Sequence, residues 1–294
     1  MPPAMTRPSC ELSVMIDAAR RAGAGLLRAQ RRRASLTVEL KGPADFVSEA
    51  DRGAERTLAR ALLGAFPRYG FVSEESPAVL GPADARFIVD PLDGTTNFLH
   101  GLPHFSVSIA LEREGALVAG VVFDPAKDEM FVAERGRGAW LGRERIHVAA
   151  DRRLSRAIVA TGIPAANAPQ RHATALAMLA AVMRATAGVR RFSSAALDLA
   201  YVAAGRFGGY FELGLSSWDL AAGAVLVREA GGRVTTPGGG RDILGTGAVL
   251  ATNGPLHRPL MELLRGASPH AFAPRVAQAA SASRRAHTRR KASA

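Results

Sequence analysis

Phe87-Ile-Val-Asp-Pro-Leu-Asp-Gly-Thr-Thr-Asn97 decides how this chain is read. Phe87, Ile88 and Val89 predict the end of a buried strand. Asp90-Pro91 breaks it, and Asp93-Gly94 supplies turn chemistry. The break leaves two carboxylates three residues apart at a strand mouth, beside the Thr95 and Thr96 hydroxyls. Hard divalent cations such as Mg²⁺ take oxygen ligands of this kind. A backbone amide near Gly94 can face a phosphate, because glycine permits close approach. Asp-Pro and Asp-Gly are also ordinary loop signals, so the stretch alone equally describes an acidic turn without chemistry.

Three further acidic segments bear on that choice. Gly70-Phe-Val-Ser-Glu-Glu-Ser76 reads as a short strand ending in Glu74 and Glu75, which is either a solvated edge or part of a shared cluster. Asp45-Phe-Val-Ser-Glu-Ala-Asp51 leads into a helical stretch with Leu58, Leu62 and Phe66 on one side. Ser48, three residues before Asp51, predicts a capping box, which competes with a catalytic role for Asp51. Glu55, one turn on, is expected on the helix surface. In Ser216-Ser217-Trp218-Asp219 the acid falls at a helix start, where the dipole favours it with or without a metal. His100 and His104 have the spacing of loop residues rather than ligands.

Around these segments the pattern divides in two. Residues 9–30 predict an amphipathic helix through Leu12, Met15, Ile16, Ala19, Ala22, Leu26 and Leu27. Arg31-Arg32-Arg33 at its end complements the macrodipole. From 105 to 148 alternating residues such as Phe105, Val107, Ile109 and Leu111 predict an antiparallel meander. After Asp151 strands and helices alternate: strand 157–161, helix 171–185, strand 189–192, helix 195–204, strand 210–213, helix 218–230 closed by Gly231-Gly232, strand 248–252, and a helix from Pro255 to about Leu264. The expectation is an α+β half over 9–150, an α/β half over 151–271, and a basic tail over 275–294 expected to be disordered.

The chain has 294 residues and a net charge of +12. Residues 1–35 contribute +5 and residues 275–294 contribute +6, so the body is close to neutral. The 35 Arg against 3 Lys fit a GC-rich coding bias. Arg-rich ends can still touch polyanions non-specifically. Cys10 is the single cysteine, which excludes an internal disulfide and a thiolate metal site. There is neither a bilayer-length apolar run nor a secretory-signal layout at the start, so a cytoplasmic protein without membrane contact is expected.

With these residues in view, the chain resembles the inositol monophosphatase family. Asp90-Pro-Leu-Asp-Gly-Thr95 and Trp218-Asp-Leu-Ala-Ala-Gly223 are similar to its two signature motifs. Segments 70–76 and 45–51 are similar to its two upstream segments, in the same order. The resemblance covers roughly residues 9–266. It implies a layered α-β-α-β-α sandwich, a homodimer, and hydrolysis of a phosphorylated polyol with two or three Mg²⁺ per site. It assigns Glu74, Asp90, the Leu92 carbonyl, Asp93 and Asp219 to the metals, with Asp90 bridging. Thr95, with Glu74 and Asp51, would position and deprotonate the attacking water. The Gly94 and Thr95 amides would hold the phosphate. Glu212, with neighbours Ser194 and Ala195, would meet the sugar hydroxyls; Glu75 and Lys41 would flank the site.

Elementary chemistry agrees. Phosphate monoesters hydrolyse extremely slowly unaided, and two metals about 3.5–4 Å apart both neutralise charge and supply a nucleophile. Clustered carboxylates raise each other's pKa, and bound cations remove that repulsion. Three positions depart from the family pattern without removing a ligand: Ser216 where His is frequent, Phe192-Ser193-Ser194 where Gly precedes Ser or Thr, and Gly208-Gly209 where Asp is frequent. All three are expected on the sugar side. They keep other phosphates open: fructose 1,6-bisphosphate, histidinol phosphate or a 3′-phosphoadenosine nucleotide. A different class, an RNA- or transcription-associated binding role through the basic ends, stands beside the enzyme.

Overall fold

The computed structural model describes residues 8–33, 36–42, 45–163 and 171–268, with backbone alone for 40–42 and 45–47. The predicted tail at 275–294 and the boundary at 271 lie outside the described residues, as does the Lys41 side chain.

Helix α1 (Cys10–Arg31) starts where the Ser9 hydroxyl accepts the Leu12 amide at 3.1 Å. Its buried stripe runs through Leu12, Met15, Ala19, Ala22 and Leu26. Strands β1 (Val38–Gly42) and β2 (Asp45–Ser48) form an antiparallel hairpin that periodicity did not predict. Helix α2 (Glu49–Ala65) follows and packs on α1.

A seven-stranded sheet comes next, formed in spatial and chain order by β3 (Gly70–Ser73), β4 (Ala85–Asp93), β5 (Ser106–Arg113), β6 (Ala116–Asp124), β7 (Glu129–Glu134), β8 (Gly138–Leu141) and β9 (Glu144–Ile146). Only β3–β4 is parallel; the rest is the expected meander. A short helix, α3 (Thr95–Leu99), links β4 to β5.

The second sheet has the order β11 (Gly188–Arg190), β10 (Ile158–Thr161), β12 (Gly209–Leu213), β14 (Ala248–Thr252), β13 (Arg233–Thr235). It is mixed: β11, β10 and β12 are parallel, and β14 runs against β12 and β13. Helices α4 (His172–Ala185), α5 (Ala195–Ala203), α6 (Ser217–Glu229), α7 (Ile243–Thr246) and α8 (His257–Ala267) complete the described chain.

Alternation along the strands builds three cores and five layers. Phe87, Val89, Val107, Ile109 and Val121 face α1 and α2. Their neighbours Ile88, Ala110 and Val122 face the α5–α6 pair, which receives Ala160, Tyr210, Val249 and Ala251 from the second sheet. Val159, Phe211 and Leu250 point the other way, to Met178 and Val182 of α4 and Leu260 and Leu264 of α8. Each large side chain so buried contributes roughly 1.5–3 kcal/mol. The layers are therefore helix pair, sheet, helix pair, sheet, helix pair. Among the described residues no helix is long and apolar enough to cross a membrane.

One local expectation is corrected. Asp90-Pro91 does not end β4. The strand runs on to Asp93, with Asp90 opposite Ser108 and Asp93 opposite Ser106, so β4 carries one extra residue there. This is a bulge, and Pro91, which has no N–H to donate, sits inside it.

Candidate active site

The bulge is what makes the site. In a regular strand, residues three apart point to opposite faces. The extra residue cancels that alternation and turns Asp90 and Asp93 to the same side. Asp219, at the N-terminal end of α6, joins them: one oxygen from each of the three lies within 4.8 Å of the others. Asp90 and Asp93 are buried and Asp219 half-buried.

Each carboxylate has a fixed orientation. Asp90 Oδ1 accepts the Leu92 amide at 2.9 Å. Asp93 Oδ2 accepts the Ser194 hydroxyl at 2.6 Å and the Ala196 amide at 2.8 Å, both from the start of α5. Asp219 Oδ2 accepts the Ser216 amide at 2.7 Å. Ser216 thus starts α6 and anchors Asp219.

Asp51 resolves the competition between capping and catalysis by doing the first while facing the site. Its Oδ2 accepts the Ser48 amide at 2.8 Å and hydroxyl at 2.6 Å. Its Oδ1 accepts the Thr95 hydroxyl at 3.1 Å, and the same hydroxyl lies 3.0 Å from the Leu92 carbonyl. Gly94, with φ +94°, forms the corner before α3; a Cβ there would press within 3.1 Å of the His104 carbonyl, so glycine is required.

Glu55 is not on the surface, as its helical position predicted. It is buried, and its Oε2 accepts the Ser73 hydroxyl at 2.5 Å and the Glu75 amide at 3.1 Å. It therefore shapes the turn that carries Glu74 and Glu75. The missed signal was Ser73-Glu74-Glu75 itself, a turn needing an acceptor for its first amides. Glu74 is half-buried and stands outside the three-carboxylate cluster.

The carboxylates are held in a costly state. Burial, then the charges of Glu74, Asp93 and Asp219, push Asp90 well above the usual carboxylate range. Burial raises Asp93 to about 6, against the Ser194 and Ala196 hydrogen bonds. Burial and then Asp93 raise Asp219 strongly. Burial also raises Asp51, opposed by Ser48 and Thr95.

Beside the carboxylates lies a cleft of about 260 Å³ lined by Asp93, Asp219, Ser194, Ala195, Arg191 and Glu212. Glu212, on β12, accepts the Tyr210 hydroxyl and lies directly against Gly162, in the space a side chain there would fill. Burial lifts its pKa to about 7, and Asp93 adds to the lift, while Tyr210 and Arg191 oppose it. Ser194 borders the cleft, but its hydroxyl is engaged by Asp93. Gly208 and Gly209, expected on the sugar side, are elsewhere. They pack on Ala157, Leu256 and Leu260 at the far end of β12.

Several buried oxygens converging without a basic side chain among them suit a hard cation such as Mg²⁺. That donor set fits the group the resemblance implies.

Fold and site together define a layered α-β-α-β-α phosphatase. The sequence profile of the inositol monophosphatase family matches residues 8–270, and the chain belongs to that family. It is 49% identical over 258 residues to an inositol-1-monophosphatase of Rhizobium meliloti, covering 87% of this chain and 97% of that protein. It is 42% identical to a protein of Pseudomonas aeruginosa named Nus factor SuhB, covering 86% and 95%. The crystal structure of the extragenic suppressor protein suhB from Bartonella henselae superposes with a TM-score of 0.85 at 50% identity, covering 87% of this chain and 99% of that one.

Proposed function

We propose that the chain hydrolyses the phosphate monoester of a small polyol, myo-inositol 1-phosphate first among candidates, with Mg²⁺ held by Asp90, Asp93, Asp219, Glu74 and the Leu92 carbonyl. The observation that carries this reading is the buried cluster of Asp90, Asp93 and Asp219. Bound Mg²⁺ would neutralise phosphate charge and lower the pKa of a water at neutral pH.

The chain's own groups supply the rest. Asp51 and Thr95 form a relay: the Thr95 hydroxyl, already donating to Asp51, can take a proton from the attacking water as it passes its own to Asp51. Burial raises the Asp51 pKa, which favours its receiving that proton. Glu74, just past the end of β3 and beside Asp90 on the parallel neighbour β4, would assist. The Gly94 and Thr95 amides, at the corner before α3, would receive the phosphate oxygens. Glu212 would accept hydrogen bonds from the polyol hydroxyls, with Ala195 and Ser194 as the adjoining wall.

A homodimer in the cytoplasm belongs to the same reading. So do two catalytic halves at 9–150 and 151–271, and polyanion contact through the Arg-rich ends. The Nus-factor name of one relative supports the second reading, a transcription-associated role, which the acidic cluster itself does not require.

The test is phosphate release from inositol 1-phosphate with and without Mg²⁺, for wild type and Asp93→Asn. Mg²⁺-dependent release that falls by ~10²–10³-fold in the variant is expected. Release from another ester alone moves the substrate; absence of release from every ester overturns the enzyme reading.

A further inference from the structure

The helix that carries Asp219 at one end borders a second cavity at the other. This cavity has a volume of about 600 Å³, against about 260 Å³ for the acidic cleft, and lies between the β5–β6 turn, the end of α6 and the start of α7. Four arginines line it: Arg86 of β4, Arg135 from the β7–β8 turn, Arg228 from the last turn of α6, and Arg241 before α7.

Among the described residues Arg135, Arg228 and Arg241 have no ion-pair or hydrogen-bond partner, whereas Arg86 is paired. Three acids share the lining, and each has a partner other than these three arginines. Glu112 pairs with Arg86 at 2.9 Å. Glu229 accepts the Gly136 and Gly138 amides at 3.0 Å each. Asp242 accepts the Gly245 amide at 2.8 Å at the start of α7. Arg228 is close enough to Arg135 that, after burial, the neighbour's charge lowers its pKa further. A helix C-terminus accounts for Arg228 alone. It does not account for two more cations converging on the same cavity from other segments.

Each guanidinium offers five donors in a fixed fork suited to phosphate oxygens. We propose that this cavity binds a multiply phosphorylated small molecule through Arg135, Arg228 and Arg241. Convergence of the three exposed guanidiniums on one open concavity of about 600 Å³ suits a compact polyanion better than the extended backbone of a nucleic acid. The inference is independent of the phosphatase reading, since no residue of the acidic cleft takes part.

The probe is tripolyphosphate, titrated calorimetrically into the full chain in EDTA, where the metal-free carboxylates repel anions. Wild type and Arg135→Gln/Arg228→Gln are compared. Binding to wild type that weakens with salt, and is at least tenfold weaker in the double variant, is expected. Tripolyphosphate should also slow phenylglyoxal modification of Arg228, read by peptide mass spectrometry. The circular dichroism melts of both proteins check that the variant is folded. Equal affinity in the two proteins would place the binding on the terminal arginines and overturn the proposal, as would an unprotected Arg228. Retention of a single-stranded RNA that the variant loses, without tripolyphosphate binding, would replace the small molecule by nucleic acid.

Discussion

Asp51 Oδ1 stands 3.1 Å from the Thr95 hydroxyl while Asp51 Oδ2 holds the amide and hydroxyl of Ser48. One carboxylate therefore serves the start of α2 and the corner after β4 at once. The division of labour between its oxygens separates stability from activity. In Asp51→Asn the side-chain carbonyl can still accept the Ser48 amide, so stability should change by no more than about 1 kcal/mol. Turnover should fall by ~10²–10⁴-fold, the usual worth of a general base. Thr95→Val should show a similar loss, and the double variant little more than either single one, because both interrupt one relay. Additive losses in steady-state kinetics would separate the two residues.

The acidic cluster predicts a metal-linked stability. Asp90 is raised by burial and by three neighbouring carboxylates. Asp90→Asn removes one charge and can keep the 2.9 Å bond to the Leu92 amide. The metal-free variant should therefore melt above metal-free wild type at pH 8, by about 2–4 °C for each kcal/mol relieved. Mg²⁺ should raise the wild-type Tm and leave the variant's nearly unmoved. Thermal melts in EDTA and in Mg²⁺ decide both points. A variant that melts lower in EDTA would show that the contacts of the Asp90 carboxylate outweigh its repulsion by the neighbouring acids.

Ser193 sits at φ +62°, in the left-handed region that side chains avoid. Its strain lies directly before Ser194, which orients Asp93. Ser193→Gly should stabilise the protein by about 0.5–1 kcal/mol, after the larger entropy of the unfolded glycine is subtracted. Urea denaturation measures this directly. A destabilised variant would mean that the Ser193 side chain makes a compensating contact.

Glu212 gives a pH signature. Its carboxyl is raised from 4.5 to about 7, so the folded state binds the proton more tightly than the unfolded chain. Stability from this group is fully present below pH 4.5 and is lost as pH rises towards 7. The metal-free Tm of wild type should therefore fall across that window more steeply than that of Glu212→Gln. Parallel curves would show that Glu212 titrates normally. In the assay the same variant should raise KM for the polyol ester more than it lowers kcat, since Glu212 lines the cleft and is proposed to meet the polyol hydroxyls.

What was legible in the sequence was local. Ser9 starting α1 and Ser48-Glu-Ala-Asp51 starting α2 are adjacent in the chain, so their pattern is their structure. The period-two run of Ser106–Arg113 was equally plain, because one face of β5 packs on α1 and α2 and the other on α6. The β1–β2 hairpin and β13 were not read, since short strands have too few residues for a period to emerge. Glu55 was misread because helical position alone says nothing about Ser73, 18 residues away, which draws its carboxylate inward.

The sequence by itself determined the acids, their motifs and the alternation that sorts side chains into five layers, because these depend on neighbours a few residues apart. Only the tertiary structure decided that the chain through Pro91 is a bulge and not a strand end. Only it decided that Asp93 is held by Ser194, 101 residues away, that Gly208-Gly209 lie outside the cleft, and that Arg135, Arg228 and Arg241 share a cavity. These facts are set by the packing of α5 and α6 between two sheets, which brings distant segments to one point, and no local period encodes where such segments meet.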